Sequence, residues 1–167
     1  AKQIDPKDLE GAPEGFTTLK SNTKNDRNLH YRLQVYIEDC VGCGSCVETC
    51  PAKKKAIEMK WLQEERDRGE REKADFFDAL PDNVVDGIKP TSLKGSQFLQ
   101  PLFEFSGACA GCGETPYVKL ATQLYGDRMI IANATGCSSI FGGTFPTIPY
   151  CVTKDGKGPA WANSLFE

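Results

Sequence analysis

Apolar and polar residues trade places along this chain with two different periods. Leu33, Val35 and Ile37 alternate with Arg32, Gln34, Tyr36 and Glu38, the period of two that marks a half-buried strand. Lys55-Ala56-Ile57-Glu58-Met59 repeats that alternation briefly. From Trp61 to Leu80 the sequence predicts a helix, in which Glu64 with Arg68, and Asp67 with Arg71, form i,i+4 pairs. Its middle is polar all round, which suits a surface or domain-bridging helix, and Gly69 weakens it. Further on, Thr115 reads as an N-cap with Pro116 at the first helical position. Tyr117, Leu120, Ala121, Leu124 and Tyr125 then recur on one helical face, and Gly126 ends the run. Met129 to Ala134 is continuously apolar, as in a parallel strand buried between helix layers.

The segments between are polar or broken. Residues 1–30 are interrupted at Gly11-Ala12-Pro13-Glu14-Gly15 and read as a covering that wraps over another part of a larger protein, with Ser21 to Asp26 as a surface loop. Residues 81–105, carrying Pro81, Asn83, Gly87, Pro90, Gly95 and Pro101, read as a connector whose Phe98, Leu99, Leu102, Phe103 and Phe105 plug into a neighbouring domain. Lys154 to Pro159 reads as a turn, and its glycines lack the strand and helix that frame a phosphate-binding loop. The organisation expected is 1–60, an α+β half-domain; 61–105, a connector with a polar helix; and 106–167, the start of an α/β domain.

Charge and length narrow the function classes. The 167 residues suffice for one ordinary domain or two small ones, and 20 basic against 23 acidic side chains leave a net charge of −3, which argues against nucleic acid. Lys53-Lys54-Lys55 is the only purely basic run and reads as a solvated face. No apolar stretch is long enough for a bilayer and Ala1-Lys2-Gln3-Ile4-Asp5 has no secretory core, so a soluble protein with no membrane partner is expected. The single histidine, His30, reads as structural.

Cysteine spacing carries the chemistry. The eight cysteines gather in short-spaced clusters rather than spreading along the chain as a disulfide framework would, which implies a reducing compartment and metal ligation. Cys40, Cys43, Cys46 and Cys50, followed by Pro51, match the iron–sulfur run C-x2-C-x2-C-x3-C-P. Three thiolates on one tight loop can each reach a different iron, Gly42 and Gly44 can adopt positive φ there, and Pro51 stops the short helix behind them. In two-cluster ferredoxins the fourth cysteine serves the other cluster. A matching run is absent upstream of Cys40, so strand, ligand loop and strand make only half of a ferredoxin-like unit, and the chain reads as a piece of something longer.

A second constellation follows. Cys109 and Cys112 precede the helix at Thr115, and Cys137 stands at the carboxyl end of the strand 129–134, where ligands of open α/β sheets gather. These three are expected to converge, with a fourth ligand from Cys151 or from beyond Glu167. A zinc knuckle is the alternative for Cys109 and Cys112. Glu114 is also the ordinary acidic residue of a helix's first turn.

Gly11 to Phe16, Cys40 to Pro51, Phe105 to Tyr117, Ile131 to Ile140 and Gly158 to Glu167 together closely resemble the pyruvate:ferredoxin (flavodoxin) oxidoreductase family. The resemblance spans almost the whole chain and implies an internal fragment: a ferredoxin-like half followed by the beginning of an α/β thiamine-diphosphate-binding domain. It implies oxidative decarboxylation of pyruvate with coenzyme A to acetyl-CoA and CO2, with electrons passed through three [4Fe–4S] clusters to ferredoxin or flavodoxin. By position, Cys40, Cys43, Cys46 and Cys50 match ligands of the two ferredoxin-type clusters, and Cys109, Cys112 and Cys137 match ligands of the cluster nearest thiamine. Glu114 and Cys137 match positions that contact thiamine diphosphate, while the Mg2+ ligands and the remaining cluster ligands have no counterpart in this chain. Cys151 matches no family ligand. A homodimer in the cytoplasm, or in a hydrogenosome, is the implied setting, and the isolated polypeptide is expected to be inactive. The competing reading is a small ferredoxin-like electron carrier with a structural zinc knuckle.

Overall fold

Three short strands frame the beginning of the chain: β1 (Lys2–Ile4) and β2 (Leu19–Lys20) pair antiparallel on either side of β3 (His30–Arg32). A computed structural model describes residues 1–22, 28–81 and 87–163, in two units, Ala1–Ile88 and Lys89–Glu167. Most of the expected Ser21–Asp26 loop, and Asn83 of the connector, lie outside the described residues.

In the first unit the strand expected over 33–38 is displaced to His30–Arg32. Lys2 is the partner of Arg32, so β1 offers no strand opposite Leu33. The alternation survives past that point with its sense reversed: Leu33 and Val35 are 64% and 55% exposed, whereas Gln34 is 8% exposed and Tyr36 packs on the core. A shift of one residue exchanges the two faces of an extended segment, and here a polar network fixes the choice. Gln34 accepts from Arg32 Nε at 2.7 Å and donates to Val35 O at 2.9 Å. Glu70 takes Arg32 at 3.5 Å and the buried Lys73 at 2.9 Å, and Lys73 also donates to Arg68 O at 2.8 Å. The Arg32 guanidinium lies 4.3 Å from the centre of the Phe16 ring. With these polar groups paired, they bury at lower cost than isolated ones would.

The helix expected from Trp61 to Leu80 is two helices. After the short turn α1 (Ser45–Glu48) come α2 (Leu62–Asp67) and α3 (Glu70–Ala79), and Gly69, at φ 70°, lies between these two as the cap that opens α3. The expected partners also change, since Arg68 pairs with Glu65 at 2.8 Å and Asp67 accepts from Gln63 at 2.8 Å. The apolar end of α3 anchors the pair: Phe77 joins Ile4 and Leu80 in the core, with Leu9, Phe16, Tyr36 and Phe76 packed against it. Lys2 Nζ donates to the carbonyls of Phe77 (2.9 Å) and Leu80 (3.0 Å), satisfying groups that a helix end leaves open. His30 is held by Thr18 Oγ1, 2.8 Å from Nδ1, in keeping with a structural role. The short strand expected over 55–59 does not form; Met59 is 50% exposed.

In the second unit, Phe98, Leu102 and Phe103 make that unit's own core with Phe141, where the sequence suggested a plug into a neighbour. Phe103 meets Phe141 at 5.6 Å and Tyr150 at 5.3 Å between ring centres, and bridges to Tyr150 through the backbone. The turn α4 (Leu93–Ser96) requires glycine at 95, because a Cβ there would lie 2.0 Å from Lys89 O. The long helix α5 spans Thr115–Tyr125 with Glu114, not Thr115, at the cap position. Its buried residue is Thr122, whose Oγ1 donates to Lys119 O at 2.8 Å and accepts from Leu102 N at 3.3 Å. Tyr117 and Tyr125, expected on a buried face, are 77% and 54% exposed.

Strand β4 (Ile130–Asn133) runs parallel to β5 (Ala160–Asn163), with α6 (Cys137–Gly143) between them in sequence. Ile130 is 86% exposed, so β4 is not the buried strand its composition suggested; two strands alone give it little cover. The turn at 154–159 forms as expected, closed by Thr153 N donating to Lys157 O at 2.8 Å. Among the described residues no helix is long and apolar enough to cross a membrane.

Candidate metal centres

The loop of Cys40, Cys43, Cys46 and Cys50 is held from both ends. Before it, Glu38 is gripped side-on by one edge of the Arg66 guanidinium from α2, with Nε donating to Oε1 at 2.8 Å and a terminal nitrogen donating to Oε2. That hydrogen bond and charge hold the Glu38 carboxyl below its ordinary range and raise Arg66. Within the loop Gly42 (φ 68°) and Gly44 (φ 75°) both take the left-handed conformation. Gly44 caps α1, its carbonyl accepting from Val47 N at 3.0 Å and Glu48 N at 3.1 Å. Cys46 rides on α1, while Cys50 lies just past its end, before Pro51. Cys40, Cys43 and Cys46 are exposed and Cys50 is half-buried.

Behind Cys50 the chain turns back on itself. Ala56 N donates to Cys50 Sγ at 3.5 Å. This N–H, then that of Ala52, and then the Lys55 charge and the Ile57 N–H, lower the Cys50 thiol pKa. Lys55 is not simply solvated: its Nζ donates to the carbonyls of Val47 and Glu48 at the end of α1. Sequence reasoning passed over this backing, and the signal available was the position of Lys55, one turn of chain after a helix that Pro51 must end.

The second set begins with a tight turn, in which Cys112 N donates to Cys109 O at 3.0 Å around Gly111 at φ 71°. Thr115 Oγ1 donates to Cys112 O at 3.2 Å, tying the turn to α5. Glu114 is exposed at the helix start, and its charge, after burial, is the second cause that raises the Tyr150 phenol. Cys137 opens α6 and is exposed. A polar clasp fixes the loop before it: Trp161 Nε1 donates to Asn133 Oδ1 at 3.2 Å, Asn133 Nδ2 donates to Ser138 Oγ, and Ser139 Oγ donates to Asn163 Oδ1 at 3.0 Å. Cys151 stands apart, its Sγ 3.8 Å from Pro101 O, with burial and then Glu104 pushing its thiol pKa up to about 11.

All eight cysteines are free thiols. Among the described residues no three His, Cys, Asp or Glu side chains are grouped closely enough to hold a metal ion. Neither Cys40, Cys43, Cys46 and Cys50 nor Cys109, Cys112 and Cys137 are therefore drawn together as the spacing led us to expect. Drawing thiolates together is part of the binding event, since a preformed site rarely exists without the metal. In kind the donors fit iron–sulfur clusters: soft sulfur ligands, left-handed glycines in the loop, and an N–H directed at a ligand sulfur. Glu114 and Cys137, the two residues that the resemblance points to for thiamine diphosphate, are both exposed.

Residues 33–53 match the 4Fe-4S binding domain family. The chain is 59% identical over 162 residues to the pyruvate:ferredoxin oxidoreductase of Moorella thermoacetica, covering 97% of this chain and 14% of that protein. It is 51% identical over 173 residues to the pyruvate-flavodoxin oxidoreductase of Trichormus variabilis, covering all of this chain and 14% of its relative. The probable pyruvate-flavodoxin oxidoreductase of Escherichia coli K12 is likewise 51% identical over 173 residues, 15% of its length. Over nearly its whole length the chain is similar to an internal stretch of these pyruvate:ferredoxin and pyruvate-flavodoxin oxidoreductases. It spans about 14% of the length of these relatives. The 4Fe-4S match ends at Lys53, three residues past Cys50, so it encloses Cys40, Cys43, Cys46 and Cys50 and excludes Cys109, Cys112 and Cys137.

Proposed function

We propose that the protein carrying this chain oxidatively decarboxylates pyruvate with coenzyme A to acetyl-CoA and CO2, and passes the electrons singly to ferredoxin or flavodoxin. The observation that carries the reading is identity of 48–59% over nearly the whole chain to proteins named as pyruvate:ferredoxin or pyruvate-flavodoxin oxidoreductases. In this reading Cys40, Cys43, Cys46 and Cys50 ligate the ferredoxin-type clusters, and Cys109, Cys112 and Cys137 ligate a third. Residues 106–167 then begin the thiamine-diphosphate domain, in which Glu114 and Cys137 approach the cofactor and Mg2+ is held outside this chain. The parallel pair β4–β5, with α6 between its strands in sequence, supports an α/β assignment there. A homodimer in the cytoplasm is part of the proposal.

When bound, the clusters would supply one-electron chemistry and thiamine diphosphate an electron sink for the decarboxylation. The chain's own contribution is to hold thiolates. Left-handed backbone at Gly42 and Gly44 shapes the loop. The Ala56 N–H and the Lys55 charge favour the anionic form of Cys50, the form that ligates. Iron and acid-labile sulfide assays on the native protein test the reading, together with pyruvate- and coenzyme-A-dependent reduction of methyl viologen. Stoichiometric iron and sulfide with viologen reduction are expected. Zinc without sulfide would replace the reading with the carrier bearing a zinc knuckle.

A further inference from the structure

We propose that Lys53 and Lys54 form a cationic docking point for an electron-carrier protein with an acidic face, set beside the Cys50 end of the first ligand loop. The inference rests on the reading of Cys50 as a cluster ligand and goes on to say where the carrier lands. Between Pro51 and Lys60 the chain holds four lysines and one glutamate, although its net charge is −3. Not all of those lysines are available. Lys55 is folded back onto the α1 carbonyls, and Lys60 is paired with Glu58 at 2.9 Å. Lys53 and Lys54 are exposed and have no hydrogen bond or ion pair among the described residues. The nearby acids do little to cancel them: Glu58 is paired with Lys60, Glu38 with Arg66, and Glu48 on α1 remains.

Two unpaired ammonium groups are therefore presented on a loop whose neighbouring N–H groups point at the Cys50 sulfur. Three and four residues of chain separate them from Cys50, so their Cα atoms lie within about 11 and about 14 Å of its Cα even if the chain is fully extended. That is comparable with the screening length of about 8 Å at physiological salt, so a carrier held by these charges is held close to the ligand loop. A local reversal of sign on an acidic chain steers an acidic partner to one place and keeps it off the rest of the surface. The step served is transfer of one electron, which reduces the carrier by one and oxidises the donor side by one, with no bond made or broken.

The test uses the native holoenzyme, with Lys53→Glu/Lys54→Glu and the milder Lys53→Gln/Lys54→Gln. A control, Lys20→Glu/Lys94→Glu, makes the same change in net charge at exposed positions elsewhere. Calorimetric titration with an oxidised acidic ferredoxin gives Kd without turnover, and methyl viologen reduction reports the upstream chemistry. At low salt the Glu pair should weaken Kd roughly tenfold or more and the Gln pair several-fold, converging with wild type at high salt. The control and the viologen rate should not change. Unaltered Kd in the Gln pair, an equal loss in the control, or salt-independent wild-type binding would each overturn the inference. Absence of iron and sulfide, or of pyruvate-dependent viologen reduction in wild type, would instead remove the reading beneath it.

Discussion

Replacing Gly44 by alanine isolates the backbone contribution to the ligand loop. Gly44 sits at φ 75° and ψ −7° as the cap of α1, and a Cβ added there would meet nothing within 4 Å. Any cost is thus conformational rather than steric. Holding an L residue in the left-handed region costs about 1–2 kcal/mol, which corresponds to a factor of roughly 5–30 in an equilibrium. Since Cys43 and Cys46 lie close to this residue in the chain, a loop that relaxes from the left-handed conformation moves both proposed ligands. The assay is the chelator-driven loss of iron from the native protein, followed by its visible absorption. Lability should rise in the order Gly, Asn, Ala at position 44, because asparagine tolerates this region better than alanine. Gly113→Ala is the control, since it too has open space but no positive φ. Equal effects at 44 and 113, or Asn as damaging as Ala, would refute the reasoning.

Other expectations follow from packing and charge. Glu70→Gln leaves the buried Lys73 without its carboxylate and should cost about 3–5 kcal/mol, partly recovered by adding Lys73→Met, as read by urea denaturation. Gly142→Ala would place a Cβ 2.7 Å from Trp161 Nε1 and should destabilise by about 1–3 kcal/mol, with Trp161→Phe relieving part of it. Cys151 has its thiol pKa raised from 9.0 to about 11. Above the unfolded pKa the unfolded chain binds fewer protons here than the folded one, so this contribution is present below about pH 9 and is lost as pH rises toward about 11. Denaturation midpoints across that window should fall more steeply in wild type than in Cys151→Ala, whose iron content should equal wild type.

What the sequence disclosed was chemistry with fixed spacing. The thiol runs, the left-handed glycines at 42 and 44, the helix at 115–125 and the parallel-strand residues 130–133 were readable because each depends on local geometry or ligand reach. What it concealed depended on partners distant in the chain. Leu33 and Val35 carry the stronger apolar signal, yet Gln34 goes inside because Glu70 and Arg32 meet it there. Gly69 was seen as a weakness in one helix, whereas its φ of 70° makes it a boundary between two. Lys55 looked like one of three solvated charges until the end of α1 came within its reach. At the second thiol set, apolar α5 residues suggested a covered face, but the residue of that helix that is buried is Thr122.

Parallel pairing between β4 and β5 has a temporal side. A hairpin can zip as soon as its second arm is made, but Ile130 pairs with Ala160 and Asn133 with Asn163. Thirty residues must be synthesised, and α6 turned back, before either strand finds its mate. Until then the N–H and C=O groups of an apolar stretch stand open to any other strand nearby, which makes the interval between residues 130 and 163 on the ribosome the period when this part of the protein is most exposed to misassembly.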